Sequence, residues 1–257
     1  MEQLKEQEQL QKRFRDLADQ SYRQGIYTFS DFLSLADQDA YHRIERELSY
    51  AHPILFGGYP GAERQMLRFG SEEELGYEAA FPFVCIHVEP LSLKFAEDLG
   101  HRDFLGALMN QGIERACLGD LLISNKSAYL FCEEQIADYI CENLDKVRHT
   151  NVKCRPVEDV GALGEILQEE PEELQISIAS ARVDAVVAKV YHLSREESLA
   201  LFRSGLVFVN GRLMENNSKQ LIGGETVNAR GYGKFEFVGE PHMSRKGKLV
   251  ATIKKYR

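Results

Sequence analysis

A chain of 257 residues, 44% hydrophobic and 28% charged, has room for two or three domains that each bury a core. No apolar run approaches the roughly 18–20 residues of a helical membrane span, and the start, Met1-Glu2-Gln3-Leu4-Lys5-Glu6, lacks the apolar stretch of a signal peptide. The net charge of −9 argues against nucleic acid as a partner until the chain is divided at Ala181. Residues 181–257 hold 14 Lys and Arg against 7 Asp and Glu, a net +7, while residues 1–180 hold 17 against 33, a net −16.

The first fifty residues read as helices. Leu4, Leu10, Phe14 and Leu17 form one stripe. Ser34, with Asp37 three residues on, is placed to cap a second helix with Ala36, Ala40, Ile44, Leu48 and Ala51 on its apolar face. His52-Pro53 ends it. Residues 54–56 and 65–69 read as a strand pair around the glycine-rich loop 57–61. Together these make a helical N-terminal domain with a β-hairpin, residues 1–75.

The next stretch, 76–157, alternates differently. Strand 83–88, helix 101–111, strands 120–123 and 128–132 around Ser124-Asn125-Lys126, helix 133–144 and strand 151–155 give the order βαββαβ. That order predicts a ferredoxin-like sheet with two helices on one face. Tyr129 and Phe131 share one face of a strand. They read as core packed against the helices, because the basic, Gly-rich signature of an RNA-stacking sheet is missing. Residues 158–180, with Glu169-Glu170-Pro171-Glu172-Glu173, read as an acidic linker containing a short helix.

The C-terminal part, 181–257, opens with a valine stripe (Val183, Val186, Val187, Val190) that predicts a helix over 182–192. Ser194-Arg195-Glu196-Glu197 is a capping box for a second helix that stops at Gly205. Strand 206–209, the hairpin turn Asn210-Gly211, strand 226–230, and a hairpin from 231–238 to 249–253 with its tip at 244–248 follow. The overall class is α+β. The five cysteines (Cys85, Cys117, Cys132, Cys141, Cys154) are odd in number and none stands at C-x-x-C spacing, so no metal or cofactor is expected, and a cytoplasmic location fits.

In order and spacing, Arg182-Val183-Asp184, Leu193-Ser194-Arg195, Ser204-Gly205-Leu206-Val207-Phe208-Val209-Asn210-Gly211 and Gly224-Glu225-Thr226-Val227 resemble the S-four, or alpha-L, RNA-binding domain. Val183 stands where that family usually has Leu. Upstream, Phe56-Gly57-Gly58-Tyr59-Pro60-Gly61-Ala62-Glu63-Arg64, Gly100-His101-Arg102-Asp103-Phe104-Leu105, Gly112-Ile113-Glu114-Arg115 and Gly119-Asp120 resemble the YlmH family, also described as RqcP-like or photosystem II S-four proteins. The resemblance covers nearly the whole chain. It implies an RNA-binding middle domain, association with ribosomes, and a part in quality control of stalled large subunits that carry peptidyl-tRNA.

Arg182 and Arg195, each at a helix start where free N–H groups and the dipole favour a phosphate, lead the expected RNA site. Ser194, Arg203, Asn210, Arg212, Lys219 and Arg230 extend it. Lys94, His101, Arg102, Arg245 and Lys246 form a secondary expected contact. Structured RNA (rRNA, tRNA) and the large ribosomal subunit are the expected partners, and the acidic N-terminal part is expected to meet proteins or solvent. No catalytic residue is expected. The alternative is an RNA-modifying enzyme. A pseudouridine synthase needs Gly-Arg-Leu-Asp, where this chain has Gly211-Arg212-Leu213-Met214, and the glycine loop of a methyltransferase is missing. A fragment from about Ser177 onward is expected to bind RNA unaided.

Overall fold

The structure is a computed structural model that describes residues 2–163, 171–244 and 249–256. It divides into two units, residues 1–168 and 169–257.

The first unit begins with the helix Glu2–Gln24, which buries Phe14 and Ala18 one turn apart and ends at Gly25 in the left-handed region. The side chain of Leu4 lies outside the described residues. The next segment corrects the all-helical expectation: Thr28–Leu33 is a strand, β1. It pairs antiparallel with β3 (Gln65–Phe69), which also pairs with β2 (Ile54–Phe56), in the order β1-β3-β2. Its partner is more than thirty residues away, and that pairing overrides local helix preference. Ser34 caps the helix Leu35–Ile44 in a capping box with Asp37. That helix stops at Ile44, short of the expected Ala51, and a 3-10 turn, Ser49–Ala51, carries the chain on. Leu33, Tyr41, Ile44, Leu67 and Phe69 close the core between these helices and one face of the small sheet.

The second sheet of this unit holds β4 (Phe83–Pro90), β5 (Leu118–Ser124), β6 (Ser127–Glu133), β7 (Lys146–Val147) and β8 (Thr150–Pro156), in the order β5-β6-β4-β8-β7. With β7 set aside as an added edge, the first and third strands of the βαββαβ order lie side by side in the centre, all pairs antiparallel, as a ferredoxin-like sheet requires. Asn125 and Lys126 both take positive φ (+47° and +64°), which gives the β5–β6 hairpin its tight turn. One face packs Ile86, Val88, Leu121 and Leu130 on Phe104 and Leu108 of the helix His101–Asn110 and Ala137 and Ile140 of the helix Glu134–Asn143. The other face is not open. Cys85 and Phe131 cluster there with Phe32 and Met66 of the small sheet. Phe131 is therefore core, as expected, but it packs against the N-terminal sheet and not against the helices. The unit has four layers: helices, small sheet, larger sheet, helices.

The second unit holds one six-stranded antiparallel sheet in the order β11-β10-β12-β13-β14-β9. Its strands are β9 (Glu172–Ile178), β10 (Val207–Val209), β11 (Arg212–Leu213), β12 (Glu225–Ala229), β13 (Gly233–Met243) and β14 (Leu249–Lys255). The helices Val183–Val190 and Arg195–Arg203 bring Val183, Val186, Val187, Val190 and Phe202 onto Val207, Val227, Phe235, Phe237 and Ile253. β9 corrects the expectation of a linker through residue 180. Leu174, Ile176 and Ile178 alternate toward the core, and Glu172 and Glu173 stand opposite Lys255 and Lys254 of β14. The described start of the expected linker holds a 3-10 turn, Val160–Leu163, while residues 164–170, on which the expected short helix largely falls, lie outside the described residues.

Candidate nucleic-acid interface

The helix starts of the C-terminal unit meet. Arg182 is the N-cap of the first helix, and its Nε and Nη2 donate to Oδ1 and Oδ2 of Asp184 at 3.0 and 2.7 Å. Such a fork-to-carboxylate pair fixes both groups. The Asp184 side chain is only 6% exposed and also accepts from Ala185 N (2.8 Å) and Asn217 Nδ2 (3.0 Å). Burial alone raises its pKa, but the hydrogen bonds from Arg182 and Asn217 outweigh that and hold it below the ordinary carboxylate value. Ser198 Oγ in the second helix donates to Asp184 O (2.8 Å), which ties the two helices together. Val183 N donates to Lys219 O (2.9 Å), so the loop before β12 lies along the same edge.

The expected site residues therefore fall into two groups. Arg182 is bound to Asp184, Lys219 to buried Glu225, and Arg203 to Glu196 in an exposed pair. The Ser194 hydroxyl accepts from Glu197 N, and Asn210 Oδ1 accepts from Thr226 N at 2.9 Å beside the Asn210-Gly211 turn. These groups shape the unit. Arg195 in the first turn of the second helix and Arg212 just past the hairpin turn are exposed. Arg230 lies with its guanidinium 5.6 Å from the Phe208 ring centre. Among the described residues no carboxylate pairs with these three. Arg245 and Lys246 lie outside the described residues. The hub that sequence reasoning missed is Asp184, although it stands inside the quoted Arg182-Val183-Asp184 triplet.

The upstream motifs come together as well, in a different role. Asp120 accepts from Tyr59 Oη (2.7 Å), Glu63 N (2.7 Å) and Arg64 N (2.9 Å). Arg64 donates to the carbonyls of Leu118, Phe32 and Arg115, and Arg115 donates to those of Leu118 and Gly119. Gly58, at φ +99°, lies so close to Phe131 that a Cβ there would stand 2.3 Å from the ring, and a Cβ at Gly119 would stand 2.7 Å from Phe32. Loop 57–64 is thus a clamp between the two sheets of the first unit. Gly58 serves close approach of backbone to ring, and Gly57 close approach to the Arg64 carbonyl and the Ala62 side chain.

In the secondary group, Lys94 sits over the Phe95 ring at 5.5 Å, in a loop where Leu91, Leu93 and Phe95 are all well exposed. His101 and Arg102 begin the helix whose N-cap N–H, from Gly100, donates to Asp103 at 2.8 Å. Partial burial and the nearby Arg115 lower the His101 pKa. No hydrogen bond or ion pair among the described residues joins Lys94 to His101 or Arg102. A further row was missed. Leu122, Tyr129, His87 and Arg155 stand opposite one another across β5, β6, β4 and β8, on the face away from the helices. His87 and Tyr129 stack at 4.4 Å, and Arg155 and Lys153 flank Glu89. Burial, then Arg155 and Lys153, lower the His87 pKa against the opposing pull of Glu89. Among the described residues no group of three or more His, Cys, Asp or Glu is arranged to hold a metal, and no helix is long and apolar enough to cross a membrane.

Comparison with known proteins adds three findings. Residues 79–160, the ferredoxin-like part, match the family described as "Putative RNA-binding domain in YlmH". The ribosome-associated protein quality control protein P2 of Bacillus subtilis (strain 168) is 28% identical over 201 residues, which is 78% of this chain and 77% of that protein. Among solved structures, the cell division protein ylmH from Streptococcus pneumoniae aligns with a TM-score of 0.47 and 17% identity, over 59% of this chain and 91% of that one.

Proposed function

We propose that the chain is a member of the YlmH family and a non-enzymatic RNA-binding protein of the ribosome. It binds rRNA or tRNA through a C-terminal S-four module and contributes to the rescue of stalled large subunits. The observation that carries this reading is the family match over residues 79–160, set beside a relative named for ribosome-associated quality control. Arg195, Arg212 and Arg230 are the residues of the module that would meet phosphate, on a frame held by Asp184. A helix start supplies oriented N–H groups to the first of these. The RNA is read by shape and backbone, as suits A-form helices. Outside residues 79–160, the acidic first unit would meet protein or solvent, in the cytoplasm.

The test is gradient sedimentation of lysates in which the tagged full chain replaces the native protein. The chain is expected with large subunits, enriched when translation is stalled, and released by high salt. A chain that stays at the top of the gradient at low salt overturns the reading. A modified ribosomal or transfer RNA base that disappears on deletion would overturn its non-enzymatic part.

A further inference from the structure

A cavity of about 630 Å³ opens in the first unit between the small sheet and the ferredoxin-like sheet. That volume lies in the range of small-molecule sites. A phenylalanine cluster forms part of an otherwise mostly aliphatic wall: Phe56, Phe81 and Phe83 pack at ring separations of 5.5 to 6.0 Å, and Phe56 is 39% exposed, near exposed Ile54.

One polar group on that wall is unusual. Arg68, on the central strand β3, is only 9% exposed. Its guanidinium lies between the rings of Tyr27 and Phe81, at 4.9 and 5.2 Å from their centres. Nη1 donates to Ala79 O at 2.8 Å, while Nε is buried without a hydrogen-bond partner. Among the described residues no carboxylate pairs with it, although Glu78 and Glu158 also line the cavity. Two stacked rings and one carbonyl leave a buried charge largely uncompensated, and a buried charge is stable only when it is paired. The clamp around Asp120 does not need Arg68, and neither does the RNA surface.

We propose that this cavity binds a small aromatic anion, with its ring against Phe56, Phe81 and Phe83 and its negative group toward Arg68. A planar guanidinium suits a carboxylate or a phosphate equally. The bound molecule is therefore an aromatic carboxylate or a nucleoside monophosphate. The reading is independent of RNA binding by the C-terminal unit.

The test titrates the full chain with 8-anilinonaphthalene-1-sulfonate, followed by fluorescence and by NMR shift changes. One-to-one binding is expected. Arg68→Met, which keeps the packing and removes the charge, should weaken it at least tenfold. The uncharged N-phenyl-1-naphthylamine should bind the wild type at least tenfold more weakly. Ile54→Trp, at an exposed rim position, should close the mouth and weaken binding to the same degree. Uridine monophosphate and indole-3-acetate are then added as competitors. Displacement by the first identifies a phosphate ligand and by the second a carboxylate ligand, whereas displacement by neither overturns the proposal. Unchanged affinity in Arg68→Met, or equal affinity for the uncharged ring, also overturns it. If Arg68→Met does not fold, Ile54→Trp and the uncharged ring decide: unchanged affinity in either case refutes the site.

Discussion

The two units use arginine in opposite ways. In the first, Arg64 and Arg115 are turned inward and donate to backbone carbonyls, where burial works against their charge and Asp120 and Glu63 offset it. In the second, Arg195 and Arg212 face solvent on a frame of ion pairs in which Asp184 and Glu225 are the buried members. An arginine in a motif that resembles a family's is therefore no guide to RNA contact until its partners are known. The upstream motifs that resemble a family are a structural clamp, and the downstream ones hold a surface.

The comparison breaks most readily at Asp120. Asp120→Ala removes the carboxylate that accepts from one hydroxyl and two backbone N–H groups and should cost roughly 4 kcal/mol of first-unit stability, read by urea unfolding. RNA affinity of the folded protein should not change. Gly58→Ala strains a positive φ and drives a methyl into Phe131, for a loss of about 3 kcal/mol in the same experiment. Asp184→Asn should destabilise the second unit by about 2 kcal/mol and release Arg182, so its unfolding midpoint falls while that of the first unit stays. Because the folded pKa of Asp184 lies below its ordinary value of 3.8, its contribution is fully present above that value. It is lost as pH falls through the lower folded value, and Asp184→Asn should flatten that part of the stability profile. Arg195→Ala should cost about 1–2 kcal/mol of RNA affinity and lower the salt slope by about one, with stability unchanged. The smallest effect belongs to the exposed Arg203–Glu196 pair: Arg203→Ala should change stability by less than about 0.5 kcal/mol.

Much of the ferredoxin-like part is legible in the sequence because its strands are short apolar runs separated by helical stripes and its turn, Asn125-Lys126, has residues that accept positive φ. The capping boxes at Ser34 and Ser194 are legible for the same local reason. β1 and β9 were not, and both fail through distance. β1 finds its partner at β3, and β9 finds its partner at β14, more than seventy residues on. In β9 the alternation Leu174, Ile176, Ile178 is present, but four nearby glutamates read as linker composition until Lys254 and Lys255 are set opposite two of them. Assigning residues 169–180 to the second unit lowers its net charge from +7 to +3, since those residues add four acids and no base. At the expected RNA site, the cations were legible and their carboxylate partners were not. Sequence spacing gives no sign that Lys219 meets Glu225 across a turn, or that Asn217 reaches Asp184.

β9 also governs how the chain can be cut. It is the outermost strand of its sheet and fills the hydrogen-bonding edge of β14 along all seven of its residues. A protein shortened to begin at Ser177 would leave most of that edge bare, next to Ala251 and Ile253, and an uncovered edge recruits strands from other molecules. Such a fragment should self-associate in gel filtration, whereas one beginning at Glu169 should elute as a monomer. Weak RNA binding by the shorter piece would then report a sticky sheet edge and say nothing about the surface that Arg195 and Arg212 occupy.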